Sequence, residues 1–246
     1  MTAGQLAVVV AASFAGALVK AVTGLGYPVI AVPLIAVVLG IEEAVVIVAL
    51  PNLAANVYLN VESRDARGET RDLDLLIGFG IVGAVVGTIA LTELPEEPLL
   101  LALAAMVGVF VVVFLAHPEL TFDPRTARRA SPVVGALQGL AQGALGVSGP
   151  IVATWVHGYR LSPRGFVNQV TFIFGVTGLA QVVVLLVQGR FTGDRLLGAA
   201  IAGVAVAVAT PLGLTLRRRL AGHLFERIVL AVLLVSAGAL VAQALA

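Results

Sequence analysis

The chain has 246 residues, 59% of them hydrophobic and 12% charged, with a mean hydropathy of +1.05. No soluble domain of this size hides so much apolar surface, so soluble enzymes and nucleic-acid-binding folds are excluded. The net charge of +1 is spread over loops and identifies no partner, and the lack of cysteine excludes disulfides, thiolate metal sites and cysteine nucleophiles.

Runs such as Leu99–Leu115 are apolar on every side, which fits membrane helices and not the alternation of a β-barrel. The N-terminal stretch has no basic region before its apolar run and reads as a first transmembrane segment, not a cleaved signal. The apolar segments are Gln5–Val22, a short Pro28–Leu39, Ala44–Asn60, Leu73–Thr92 and Pro98–Ala116. After them come Pro132–Ala141, a short Pro150–His157, Phe166–Gln188, Leu196–Leu216 and Leu224–Leu245. The expected fold is an all-α polytopic membrane protein built from two repeats of about five segments. Residues 1–116 form the first repeat, 117–130 a cytoplasmic linker and 131–246 the second repeat.

Two Gly-rich breaks interrupt this pattern, Thr23-Gly24-Leu25-Gly26-Tyr27-Pro28 and Gly143-Ala144-Leu145-Gly146-Val147-Ser148-Gly149-Pro150. Each is preceded at a similar interval by a Gly-Ala-Leu, at Gly16 and at Gly135. The segments that follow the breaks are shorter than the ~20 residues a full span needs, so they read as broken or re-entrant helices. Arginines cluster at Arg64, Arg67 and Arg71, at Arg125, Arg128 and Arg129, at Arg160 and Arg164, and at Arg217–Arg219. Placing these loops in the cytoplasm satisfies the positive-inside rule with one alternation, which only Arg190 and Arg195 violate. An odd number of segments per half then inverts the second half against the first. Inverted repeats with broken helices at matching positions point to a transporter whose site lies at the breaks.

A helix N-terminus offers unpaired N–H groups and about half a positive charge, which suits an anion. Backbone at Gly24, Gly26, Tyr27, Gly146 and Gly149 is expected to hold it, with hydroxyls from Thr23, Tyr27 and Ser148 and the Gln142 amide as donors. The alternative is that the glycines only allow close helix packing. Lys20, the only lysine, either snorkels to the interface or faces the cavity as an anion ligand. Asn52, Asn56 and Asn60 lie on one helix face; the first two are expected to line the path and Asn60 to bond neighbouring helices. Asn168 and Thr171 on segment eight, and Gln138 with Gln142 on segment six, are the second-half counterparts. His157 closes segment seven and is either a site member or a structural residue.

Every Asp and Glu sits at a segment end or in a loop, so there is no intramembrane carboxylate for proton coupling. Gly146-Val147-Ser148-Gly149 matches the short serine element of intramembrane rhomboid proteases, but no histidine is well placed to activate Ser148. A structural membrane protein with a polar packing stripe is a further alternative. The duplicated break ending in proline, with the two-half layout and the Arg-rich linker, resembles the sulfite exporter TauE/SafE family of prokaryotic membrane permeases. Tyr27 departs from the fuller glycine cluster of that family. The resemblance implies export of small sulfur-containing anions, such as sulfite or organosulfonates, by alternating access across the inner membrane. No metal, cofactor or nucleic acid is expected; the partners are the small anion and the bilayer, and a homodimer is an allowed assembly.

Overall fold

The structure is a computed structural model and describes residues 1–23, 25–116, 121–216 and 242. Among the described residues there are nine α-helices and one 3₁₀ turn, and no strand. They are α1 (Ala3–Thr23), α2 (Tyr27–Leu39), α3 (Ile41–Glu62), α4 (Leu73–Glu93), α5 (Glu96–Ala116), α6 (Pro124–Leu145), α7 (Gly149–His157), α8 (Pro163–Val187) and α9 (Gly193–Leu216), with the 3₁₀ turn at Arg64–Glu69. The expected tenth segment, Leu224–Leu245, lies outside the described residues apart from Ala242.

Helices α1, α3, α4, α8 and α9 are long and apolar enough to cross a membrane. Their outer faces carry apolar side chains, with Val82 61% and Val204 67% exposed, a surface suited to lipid and not to water. Helices α2 and α7 have 13 and 9 residues. At about 1.5 Å per residue both fall well short of the ~30 Å hydrocarbon core.

Helix α6 begins eight positions before the expected Pro132, inside the stretch read as linker. The Asp123 carboxylate accepts the N–H groups of Arg125 and Thr126, and Pro124 occupies the first turn, so the start is a capped one. Pro132 lies within this helix and does not begin it.

The halves interlock. Helix α4 packs on α6 more extensively than any other pair, and α1 on α9 comes next. Exchanging the halves turns one pair into the other, and likewise turns α3–α9 into α8–α4, a pattern consistent with a repeat. The α4–α6 contact is backbone on backbone. A Cβ added at Gly83 would strike the Ala136 carbonyl, at Gly87 the Leu140 carbonyl, at Gly139 the Gly80 carbonyl and at Gly143 the Ala84 carbonyl. Small residues at three- and four-residue spacing let helices in lipid gain dispersion contact without a hydrophobic driving force.

Charges close the rims. Arg195 pairs with Glu43 at 2.6 Å and Glu42 at 2.8 Å, and Arg190 reaches Glu42 at 3.4 Å. These are the two arginines that break the positive-inside bias, and the acidic first turn of α3 neutralises them. At the Arg-rich rim, Arg164 pairs with Asp65 at 2.9 Å, and Arg128 bridges Asp72 and Asp74 at 3.2 and 2.8 Å.

A candidate anion site between two broken helices

Both breaks end in a helix start. Gly26 precedes α2 at φ 112°, and Gly146 ends α6 at φ 66°, its N–H bonded to the Gln142 carbonyl at 2.9 Å. Both angles lie in the left-handed region that glycine adopts without strain. Pro28 and Pro150 sit in the first turns of α2 and α7, where a missing N–H removes no helical bond.

Residues of both starts line one small cavity, Gly26, Pro28 and Val29 from the first and Val147, Ser148 and Gly149 from the second. Lys20 of α1, Asn52 of α3, Gln142 of α6 and Phe174 of α8 complete its wall. Its volume is about 10 Å³, the room of roughly one water. Asn52 and Phe174 lie midway along α3 and α8, which places the cavity at the depth of the bundle centre.

Lys20 is 3% exposed. Its ammonium donates to Asn52 Oδ1 at 2.8 Å and to Asn56 Oδ1 at 2.6 Å. Among the described residues no carboxylate pairs with it. A snorkelling lysine would carry its head to the interface; this one is turned inward onto α3. Two neutral amide oxygens orient the ammonium without cancelling its charge, which leaves a net positive cavity. Asn56 is fully buried, and its Nδ2 donor has no partner.

The second half answers with amides. Gln142 Nε2 donates to Gln181 Oε1 at 3.2 Å, and Gln181 Nε2 donates to the carbonyls of Gln142 and Gly143 at 2.8 and 3.1 Å. Gln181 thereby caps the end of α6, sharing the Gln142 carbonyl with the Gly146 N–H and adding a donor to that of Gly143. Ser148 precedes α7, yet its hydroxyl does not cap that helix and donates to Gln142 Oε1 at 3.1 Å. The first turn of α7 is left without a side-chain acceptor, as is that of α2. Two helix N-termini therefore turn partly positive ends toward the cavity that holds the Lys20 ammonium.

The other expected site residues lie elsewhere or contribute differently. Tyr27 is fully buried, and its hydroxyl donates to Ser13 Oγ at 3.4 Å, while its backbone closes over Gly16. The residue that departs from small size thus joins α1 to α2. Gly146 supplies the turn and is not part of the cavity wall. Asn168 forms a reciprocal clasp with Asn60: each Nδ2 donates to the other's carbonyl, at 3.2 and 3.0 Å, which fastens α8 to α3. His157 is exposed at the far end of α7. Gly24 and the Thr23 side chain lie outside the described residues. Sequence reasoning missed Phe174 and Gln181; a glutamine set in the apolar second half of α8 was the available signal for the second.

At the Arg-rich rim α7 is held by a polar cluster. Trp155 Nε1 donates to the Tyr159 hydroxyl at 3.0 Å, which donates to Asp72 Oδ2 at 3.0 Å. Burial pushes the Tyr159 phenol up to about 12.

Among the described residues no histidine or carboxylate hydrogen-bonds to Ser148 to activate it. Ser148 gives its proton to an amide oxygen, and an amide at neutral pH does not abstract one. Among the described residues no cluster of histidine and carboxylates can hold a metal. What the geometry offers is a buried cation, a free amide donor and two helix N-termini around one small cavity. No individual curated protein and no solved structure matches the chain. The family model described as "Sulfite exporter TauE/SafE" matches residues 8–240, both breaks included, and the chain belongs to that family of membrane transporters.

Proposed function

We propose that the protein exports small sulfur-containing anions, sulfite and organosulfonates foremost, across the inner membrane of a prokaryote by alternating access. The observation that carries this reading is the buried Lys20 ammonium, without a carboxylate partner among the described residues and facing two helix N-termini. The backbone of α2 and α7, the Ser148 hydroxyl and the free Asn56 donor would hold the oxygens of the anion. Val29, Val147 and Phe174 give the cavity an apolar wall that strengthens each polar contact by excluding water.

A cavity with room for about one water is smaller than a sulfite ion, so the site must enlarge on binding. The moving parts we infer are the α1–α9 and α4–α6 pairs, each drawing one helix from either half, and not the halves themselves. The two halves are then inverted in the membrane, with the Arg-rich loops inside. Efflux of a monovalent anion needs no coupled ion: an interior-negative potential supplies ~2.3 kcal/mol per charge per 100 mV, about a fifty-fold gradient. A homodimer is compatible with this cycle.

The test is flux in proteoliposomes with sulfite, alkanesulfonates, sulfate and carboxylates under an imposed potential. Saturable, potential-driven movement of sulfite or a sulfonate is expected. Failure of every anion, with movement of a cation instead, refutes the reading.

A further inference from the structure

One turn before Gln142 on α6 lies Gln138, which is fully buried and whose Nε2 and Oε1 both lack a hydrogen-bond partner. Buried amides in folded proteins are nearly always satisfied, and an unsatisfied one calls for an explanation. The packing around this side chain is specific. A Cβ added at Gly80 of α4 would strike its Nε2 and come within 3.0 Å of the Thr177 methyl of α8. A site that only needed filling would carry leucine.

The neighbours of Gln138 along α6 supply the context. Ser131, Gln138 and Gln142 are spaced by seven and four residues, so they share one face, and all three are buried. Gln142 belongs to the cavity wall. Ser131 Oγ lies 3.3 Å from the Tyr159 hydroxyl, which reaches Asp72, partly exposed at the Arg-rich rim. Polar groups therefore run from the cavity to that rim along a helix otherwise packed through glycines. Gln142, Ser131 and Tyr159 are all bonded; Gln138 alone in this file is not.

We propose that Gln138 is a second, transient station for the anion, between the central cavity and the Arg-rich rim, its Nε2 donating to the passing oxyanion and its Oε1 to be met by accompanying water. This rests on the transport reading above. The station is empty when α4, α6 and α8 are closed together, and it becomes usable when they part. Its ligand is an oxyanion because the group offered at the α4 contact is an N–H donor, one helical turn from the cavity that Gln142 shares with the Lys20 ammonium.

The test uses the full-length protein in proteoliposomes with ³⁵S-labelled sulfite. Gln138→Met keeps the shape and removes both polar groups. Because no bond is lost, the thermal melting temperature should hold or rise, equilibrium affinity at the central cavity should stay within about twofold, and the maximal flux should fall about tenfold, the effect of one hydrogen bond to a charged group. Gln138→Glu, which places a carboxylate there, should be slower still. Wild-type flux from Gln138→Met, or a Gln138→Glu that transports as well as Gln138→Met, overturns the proposal while leaving the exporter reading intact. An unfolded Gln138→Met also overturns it, since the amide would then be structural. An inactive wild type refutes the exporter reading itself.

Discussion

Replacing Lys20 by methionine tests the site most directly. Methionine preserves much of the aliphatic volume and removes the ammonium that now lies 2.8 and 2.6 Å from the two asparagine oxygens. An anion held about 4 Å from that charge, at an effective dielectric constant near 20, is attracted by about 4 kcal/mol. At 1.4 kcal/mol per tenfold, its loss weakens binding about a thousandfold. Folding responds differently. The variant loses two charge-assisted hydrogen bonds, about 1.5–3 kcal/mol each, but no longer buries an ammonium, a penalty of several kcal/mol. These effects oppose each other, so the melting temperature should move little. Flux and equilibrium binding of sulfite in proteoliposomes, measured beside a thermal melt in detergent, separate the two. A folded Lys20→Met protein that binds and moves sulfite within threefold of wild type would show that the ammonium is structural and that the helix N-termini suffice.

Ser148→Ala removes one hydroxyl donor and its bond to Gln142, so sulfite affinity should fall about five- to tenfold, and the wild-type serine should stay unlabelled by a serine-reactive phosphonate. Gly139→Leu drives a side chain into the Gly80 carbonyl; overpacking against backbone should cost at least ~3 kcal/mol and abolish the monodisperse peak in size-exclusion chromatography. Arg195→Ala leaves Glu43 without its cation and Glu42 with Arg190 alone, which should destabilise the protein by about 1–3 kcal/mol, with melting partly restored by Glu43→Gln. The Tyr159 phenol titrates near 12 in the folded protein against about 10 unfolded. The stabilisation it brings is thus complete below pH ~10 and disappears between ~10 and ~12. Tyr159→Phe should lose that alkaline step in a pH-dependent melt.

Much of this architecture was legible because glycine and proline carry local backbone information. Gly26, Pro28, Gly146 and Pro150 marked the helix ends without any knowledge of neighbours, since a left-handed angle or a missing N–H is a property of one residue. The direction of Lys20 was not legible: the same lysine on the same helix can snorkel or turn inward, and only the position of α3 decides. The stripe Asn52, Asn56, Asn60 was visible as a periodicity, and Asn60 bonds helix to helix as its place near the loop suggested; its partner there, Asn168, was not legible as such because pairing across helices leaves no mark in one segment. The start of α6 was obscured by Pro132, which imitates a first-turn proline eight residues late, while the true signal was the Asp123-Pro124 pair. The glycine spacing on α4 and α6 was present in the chain, yet a small-residue row names no partner until two such rows meet.

That meeting of rows has a consequence for how the protein is made. Helix α4 leaves the ribosome with Gly80, Gly83 and Gly87 facing lipid, and its partner surface on α6 is synthesised about fifty residues later. Helix α1 waits longer still for α9. The first half therefore closes on itself only in part: Lys20 already meets Asn52 and Asn56 of α3 within it, while α1 and α4 stay without their main packing partners until α9 and α6 arrive. A gene cut at the central linker should yield two fragments that are degraded alone and recovered only when both are expressed together, so biogenesis is cooperative across the whole chain even where the repeat looks modular.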